Sequence, residues 1–462
     1  MKFLMMKNRL LLLIIIVFLI TRLIKISEIP LSVYWDEASI GYNAYSILKT
    51  GKDEWGEFLP IHFRAFGEFK LPVYIYSVVP FVGIFGLGEF AVRFPAVLFS
   101  LGVVILTYLL AKKLSGSEIT ALFGVFFITV SPWFFIFSRT GYEATAGLMF
   151  YLLAILLFLQ KPVGKYFLLS VLSFIISAYS YNSFRIIVPL TVLILAFLER
   201  DNIVYLFQKS LHWIVLSLII LVLSIWPIYR LYVYDAGISR FQSVGFESAD
   251  NFFKNYASHF GLDFLFAGDK NLRSQQAGFG QIFLPDFVLL SLGLLYIIGS
   301  KSTYKLLPLA LVLVGLLPSA LTKEAPHALR AISLVPFLSI ISAYGVIFLK
   351  KFFPRKFIVE LAVSVVFLVF FVNYFFHFIT IYPYQSAKDW QYGYKKLFTD
   401  SKFEFENSDH VLVPDKDGQP YIFALFYLKY DPEKFRSEVI RNPVGNWGFS
   451  TVKSFGKFEF GE

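Results

Sequence analysis

The sequence of 462 residues contains no cysteine. Disulfides, thiol nucleophiles and cysteine-ligated zinc are therefore excluded. Charge is scarce as well: Asp, Glu, Lys and Arg make up 16% of the chain, and hydrophobic residues make up 57%. Soluble domains carry roughly 25% charged residues, so this is the composition of a polytopic membrane protein. There is no Gly-rich phosphate loop of the GxxxxGK type, no internal repeat, no low-complexity segment and no heptad run. The net charge of +10 is not gathered into a basic nucleic-acid-binding module. Lys and Arg instead cluster at one set of loop ends, the pattern of membrane topology, and nucleic acid is not expected as a partner.

The first apolar run is Leu10 to Ile24, preceded by Lys2, Lys7 and Arg9. Arg22 and Lys25 stand where a small-x-small cleavage site would be needed, so the run reads as an uncleaved span whose outer cations snorkel. Residues 27–90 form a long loop. Its apolar stretch Leu71 to Gly86 holds Pro72 and Pro80, which favours short helices lying in the interface. Further spans are expected near 91–111, 118–137, 143–160, 165–182, 184–199, 211–232, 285–300, 303–321, 328–349 and 357–380, about eleven in all, each close to the ~20 residues that cross ~30 Å of hydrocarbon. Residues 1–380 thus form the membrane region, with a second long loop at 233–284. A small mixed α/β tail follows at 381–462, with a strand at Val411 to Val413 and a helix or amphipathic surface stretch from Pro420 to Lys429.

With the N-terminus cytoplasmic, the inner connections carry Lys112-Lys113, Lys161 with Lys165, Arg200 with Lys209, Lys301 with Lys305, and Lys350-Lys351 with Arg355-Lys356. The outer connections are mixed in sign, as the positive-inside rule requires. This topology places Asp36 and Glu37 on the extracytoplasmic side of the plasma membrane. Two adjacent carboxylates at a membrane edge are costly to dehydrate. Either they are ordinary solvated acids, or one is a base that takes a proton from a hydroxyl; Asp36, flanked by Tyr34 and Trp35, is read as that base, with Glu37 beside it as a further catalytic group.

Other candidates lie at outer span ends. Lys70, in Phe66-Gly67-Glu68-Phe69-Lys70-Leu71-Pro72, either meets a phosphate arriving from the bilayer or snorkels to headgroups. Arg93, an arginine at an outer mouth, either holds an anion or pairs with Glu89 at i−4. Arg139 and Glu143 share a tight turn, where Glu143 is favoured by the helix dipole even without a function. Tyr181 and Arg185 share another turn, and His327 and Arg330, at i and i+3, share a helical face. Asp36, Glu143 and His327 are a compatible O/N set for a divalent metal, although their spacing does not demand one. None of these groups lies midway through a span, where a transporter would more often place them. Acids with Lys and Arg in a surface cleft suit chemistry on a lipid-linked phosphate.

Asp36-Glu37-Ala38, the aromatic-Gly-Glu-x-Lys-x-Pro stretch at 66–72 and Arg93-Phe94-Pro95-Ala96 resemble the GT-C glycosyltransferases. The nearest likeness is to the bacterial relatives of protein O-mannosyltransferases and lipid A aminoarabinose transferases (glycosyltransferase family 39 and its neighbours). Ser131-Pro132-Trp133, Ser138-Arg139, Glu143 and Pro326 to Arg330 extend the resemblance along the membrane region. It implies an all-α polytopic membrane protein of GT-C fold, with juxtamembrane helices in the first extracytoplasmic loop. It also implies a polyprenyl-phosphate sugar donor, transfer with inversion to an extracytoplasmic acceptor, Asp36 as base, Lys70 and Arg93 on the donor phosphate, and Glu143 as a second acid. The tail is shorter than the periplasmic domains of many relatives and lacks a β-trefoil insertion, which argues against a protein acceptor. The alternatives are a transporter or flippase for a polyprenyl-linked glycan, and a ligase moving whole glycans.

Overall fold

The computed structural model describes residues 2–66, 68–234, 245, 248–268, 271–415, 418–443 and 450–461. Gly67 of the hairpin motif and residues 235–244, 246–247 and 269–270 of the 233–284 loop lie outside the described residues. The chain opens with α1 (Lys2–Leu23), α2 (Trp35–Thr50), a hairpin of β1 (Phe63–Ala65) and β2 (Glu68–Lys70), α3 (Pro72–Phe85), α4 (Glu89–Ser115) and α5 (Glu118–Val130). Next come α6 (Ala144–Phe158), α7 (Gly164–Ala178), α8 (Asn182–Leu198), α9 (Arg200–Lys209), α10 (Leu211–Tyr234) and α11 (Ala249–Ser258). The membrane region ends with α12 (Leu284–Ile298), α13 (Leu307–Gly315), α14 (Val335–Leu349) and α15 (Lys356–Thr380).

Every apolar segment expected to span is helical, but the lengths differ from expectation. Among the described residues, five helices are long and apolar enough to cross a membrane, or seven if two bent pairs count as one span each. The segment expected at 118–137 breaks at Ser131, because Pro132 forces the preceding residue into extended backbone (φ −61, ψ 125). Ser131 Oγ then accepts the Phe134 N–H at 3.4 Å and starts a new turn, bent 63° from α5. At a second break α9 leaves α8 at 85°, so the Arg200–Lys209 connection is itself a helix. Helices α6, α7 and α12 have 15 residues each, about 22 Å of rise where full crossing needs ~30 Å.

The bundle centres on α14, whose residues are almost all buried, whereas α10 and α15 turn apolar side chains outward. Close packing of α12 on α14 depends on glycine. A Cβ on Gly293 would sit 2.1 Å from the Ile341 carbonyl oxygen, and one on Gly345 would sit 2.0 Å from that of Leu289. The two backbones therefore touch, as small residues permit between membrane helices.

The tail does not form a separate core. It comprises α16 (Tyr392–Asp400), β3 (Val411–Val413), α17 (Pro420–Tyr427), α18 (Pro432–Glu438), β4 (Ile440–Arg441), β5 (Val452–Phe455) and β6 (Phe458–Phe460). The sheet order is β3-β6-β5-β4, with β3 parallel to β6 and the other pairs antiparallel. Helix α17 is wedged against α2, and its residues share one apolar cluster with Tyr42, Tyr74 and Val92. Arg436 ties α18 to α2 through Ser46 Oγ at 3.0 Å and the Asp53 carbonyl at 3.1 Å.

Candidate active site

Helix α2 begins at Trp35 because Tyr34 adopts extended backbone (φ −84, ψ 159) and donates its N–H to Glu37 Oε2 at 3.3 Å. A glutamate three residues into a helix reaching back to the cap is a common way to start one. Asp36 and Glu37 therefore lie in the first turn, where the helix dipole favours both carboxylates. Adjacent helical residues point in different directions. Glu37 turns inward, 2% exposed, and Asp36 turns outward, 28% exposed.

Asp36 Oδ1 accepts from Lys70 Nζ at 2.8 Å. Lys70 ends β2, opposite Phe63 in the hairpin register, and α3 starts two residues later at Pro72. Its ammonium is buried and needs an anion nearby; the fold supplies Asp36. Arg273 is a second cation close enough to feel Asp36. Its guanidinium lies 3.8 Å from the centre of the Tyr34 ring, and Nε donates to Asn271 Oδ1 at 3.3 Å. Burial lowers the proton affinity of Arg273, but Tyr142, Tyr34 and Asp36 raise it by more. Burial, reinforced by Asp36, pushes the Tyr34 phenol above its usual range, so that hydroxyl stays protonated.

Glu37 and Arg93 form a brace. Arg93 is fully buried and donates Nε to Glu37 Oε1 and Nη2 to Glu37 Oε2, both at 3.1 Å. Its remaining N–H groups go to the carbonyls of Ile26 and Pro30 at 3.0 Å and to that of Ser32. A guanidinium has five N–H donors, so none is left for a donor phosphate. Arg93 is thus corrected from phosphate ligand to strut, and its acid is Glu37 rather than Glu89. Glu37 Oε1 also accepts the Gly141 N–H at 2.6 Å, and a Cβ on Gly141 would approach Glu37 Oε1 to 3.1 Å. Glu37 is occupied by these bonds, which corrects its reading as a catalytic group.

Arg139 is also held by backbone carbonyls. Fully buried, it donates to the carbonyls of Thr21 (3.1 Å), Ile24 (2.8 Å) and Ile29 (3.2 Å), which closes the end of α1. Arg22 does not snorkel. It is fully buried and donates to Ser138 Oγ at 2.9 Å and the Thr129 carbonyl at 2.8 Å. Glu143 is half-buried and caps α6, two residues after the Gly141 amide that holds Glu37.

The remaining candidates belong elsewhere. Tyr181 caps α8 and packs on the bundle core near Phe184. Arg185 bonds the Tyr232 hydroxyl at 3.0 Å and lies 3.5 Å from His62 Nε2. Burial first, and Arg185 second, pull the His62 pKa down to about 4. Arg330 is held by Thr322 Oγ1 at 2.7 Å and Glu324 at 2.6 Å, and its own N–H points to His327 Nδ1 at 3.5 Å. These bonds do not reach Asp36, Lys70 or Arg273. Among the described residues no three His, Cys, Asp or Glu side chains form a set that could hold a metal ion, so Asp36, Glu143 and His327 are not brought together as one.

Two features escaped the sequence reading. Arg273 lies in a polar loop, three residues after Lys270, with no periodic pattern to mark it. Glu54, behind α2, is fully buried with neither carboxylate oxygen in a close hydrogen bond. Burial pushes its pKa up to about 7, Arg441 pulls it down and Asp53 adds to the rise.

Residues 70–229 match the family model described as dolichyl-phosphate-mannose-protein mannosyltransferase. Among solved structures, ArnT from Cupriavidus metallidurans bound to undecaprenyl phosphate aligns with a TM-score of 0.60 at 10% identity, over 93% of this chain and 85% of that one. Its apo state aligns with the same score and identity, over 90% and 84%. The archaeal oligosaccharyltransferase AglB from Archaeoglobus fulgidus, in complex with an inhibitory peptide and a dolichol-phosphate, gives 0.52 at 12% identity, over 91% of this chain and 63% of that one. A search of curated proteins finds no match. The chain has the GT-C fold, as its motifs implied, and is a multi-pass membrane protein similar to the protein O-mannosyltransferase and ArnT group.

Proposed function

We propose, from a GT-C fold whose residues 70–229 match the mannosyltransferase family model, that this protein is a glycosyltransferase of the cell envelope. It takes a sugar from a polyprenyl-phosphate donor and passes it to an acceptor hydroxyl outside the plasma membrane, with the N-terminus cytoplasmic. The observation that carries the reading is the pair of Asp36 and Lys70, 2.8 Å apart, with the acid partly exposed and the cation buried. Arg273 beside Asp36 adds a second cation. The ArnT structure is bound to undecaprenyl phosphate and the AglB structure is in complex with a dolichol-phosphate, which supports a lipid phosphate in this role here.

The chemistry follows from the charges. The Lys70 ammonium rests on Asp36. An incoming phosphate competes for that ammonium and draws Lys70 and Arg273 to its oxygens, which leaves the Asp36 carboxylate open to an acceptor O–H. Asp36 takes the proton as the acceptor oxygen forms its bond to the anomeric carbon. The bond from that carbon to the phosphate oxygen breaks on the opposite face, so the configuration inverts. The electron pair leaves on the lipid phosphate, where Lys70 and Arg273 stabilise the charge that develops. Glu37 and Arg93 hold the first turn of α2 in place and touch neither reactant.

Reconstituted proteoliposomes supplied with a radiolabelled undecaprenyl-phosphate sugar test the reading. Label should appear in a new glycosidic bond, with the anomeric configuration opposite to that of the donor. Translocation of intact donor without a new bond would mark a flippase, and transfer of a whole preassembled glycan would mark a ligase.

A further inference from the structure

Trp35 directly precedes Asp36, and three residues from three separate segments press on it. All three hold left-handed backbone. Phe66, at the hairpin tip, has φ 38, and its ring centre lies 5.9 Å from that of Trp35. Gln391, at φ 54 and ψ 38, accepts the Trp35 N–H through Oε1 at 3.1 Å. Gly418, at φ 127, is so near that a Cβ there would fall 2.6 Å from two indole carbons and 2.7 Å from Gln391 Nε2. Glycine takes such backbone at no steric cost, whereas phenylalanine and glutamine do not. Strain of this kind persists only where the surroundings over-determine it, and it gathers at ligand clamps and active sites.

The clamp does not bury what it holds. Trp35 and Phe66 both stay half-exposed beside the Asp36 carboxylate. An aromatic face bordered by a carboxylate and a carboxamide suits a pyranose: its axial C–H groups lie on the ring while its hydroxyls reach the acid and the amide. The two aromatic residues before Asp36 have different neighbours. Tyr34 carries Arg273, a cation for phosphate, whereas Trp35 faces the tail through Gln391 and Gly418. The Tyr34 ring that carries Arg273 lies 5.1 Å from the Trp35 ring, so the cation and the aromatic face are neighbours of the same acid.

We propose that Trp35 is the stacking surface for a sugar ring of the acceptor, so that the acceptor hydroxyl belongs to a carbohydrate. Phe66, Gln391 and Gly418 are positioning residues that hold the indole beside Asp36. This inference rests on the glycosyltransferase reading. It gives the tail a direct part in the site, through two residues that fix the orientation of Trp35.

Saturation-transfer difference NMR on the full chain in lipid nanodiscs tests it. The probes are methyl α-D-mannopyranoside, methyl β-D-glucopyranoside, methyl β-D-galactopyranoside and a Ser/Thr-containing peptide; binding of undecaprenyl phosphate to the same samples serves as the check on folding. At least one glycoside should give signals strongest for the C–H groups of one ring face. Trp35→Leu should weaken them by about tenfold, and Trp35→Phe should restore most of the loss. If Trp35→Leu also loses the lipid phosphate, Gly418→Ala carries the comparison, because its Cβ would displace the indole without removing it, and the glycoside signal should again fall. Glycoside signals that ignore these substitutions would overturn the proposal. So would binding of the peptide in place of glycosides, or the absence of any glycoside signal from protein that binds undecaprenyl phosphate. Glycoside binding at Trp35 in wild-type protein that fails to take up undecaprenyl phosphate would uphold the sugar site and remove the donor assignment instead.

Discussion

Replacing Arg93 by Met separates a strut from a phosphate ligand. The side chain of methionine fills similar space but offers no donor. In the variant, the Glu37 carboxylate loses both charge-assisted bonds, and the carbonyls of Ile26, Pro30 and Ser32 lose their shared partner in a fully buried position. Removing one member of a buried pair strands the other charge and costs about 3–5 kcal/mol. Glu37→Gln alone leaves the arginine charged and facing an amide, a loss of similar kind. The double variant strands no charge, so its loss should be smaller than the sum of the two by about 2–3 kcal/mol. Unfolding of the four proteins by titration with SDS in mixed micelles measures this cycle. If Arg93→Met unfolds at the wild-type SDS fraction and loses only affinity for undecaprenyl phosphate, Arg93 is a donor ligand and the brace is misassigned.

Arg273→Gln should raise the Kd for undecaprenyl phosphate by about 10- to 100-fold, the worth of one hydrogen bond to a charged group, as read by lipid titration; unchanged affinity would remove Arg273 from the site. Glu54 has a pH signature. With its carboxyl pushed up to about 7 in the fold from 4.5, the folded protein keeps a proton that the unfolded chain has lost. Its stabilising contribution is therefore complete below pH ~4.5 and falls on the order of 3 kcal/mol by pH ~7. Glu54→Gln should remove that part of the slope, seen as a smaller difference between unfolding midpoints at acidic and neutral pH; identical slopes in the two proteins would refute it. Gly345→Val should separate α14 from α12, because its Cβ would lie 2.0 Å from a carbonyl oxygen. Loss of a monodisperse peak in size-exclusion chromatography is the expected result, and wild-type behaviour would contradict the backbone contact.

The helices were legible because apolar runs in a lipid solvent leave few alternatives to hydrogen-bonding the backbone internally. Their lengths were less so. Hydropathy does not register the break that Pro132 makes at Ser131, or the turn of α9 away from α8. Helix α2 was hidden for another reason. Ala38, Ser39, Gly41, Ala44 and Ser46 give it no apolar stripe, yet it is buried on nearly every side by neighbours that small residues admit. In the site, local reasoning singles out Asp36 and Lys70, which the fold pairs, but not the partner of Arg93. Arg93 was weighed against Glu89, four positions away, while tertiary packing brought it to Glu37. Lys70 meets Asp36 only through the register of a hairpin, and Arg273 reaches Tyr34 from a loop whose sequence carries no periodic signal. Ionisable groups at span ends mark where a site can be; which of them face one another is decided by packing over long sequence separations.

Asp36→Asn tests the central claim most directly, because it removes the proton acceptor while keeping the shape of the side chain. Turnover of undecaprenyl-phosphate sugar by the reconstituted variant should fall by about 10²- to 10⁴-fold, the usual worth of a general base, with affinity for undecaprenyl phosphate retained through Lys70 and Arg273. Turnover at the wild-type rate would contradict the account.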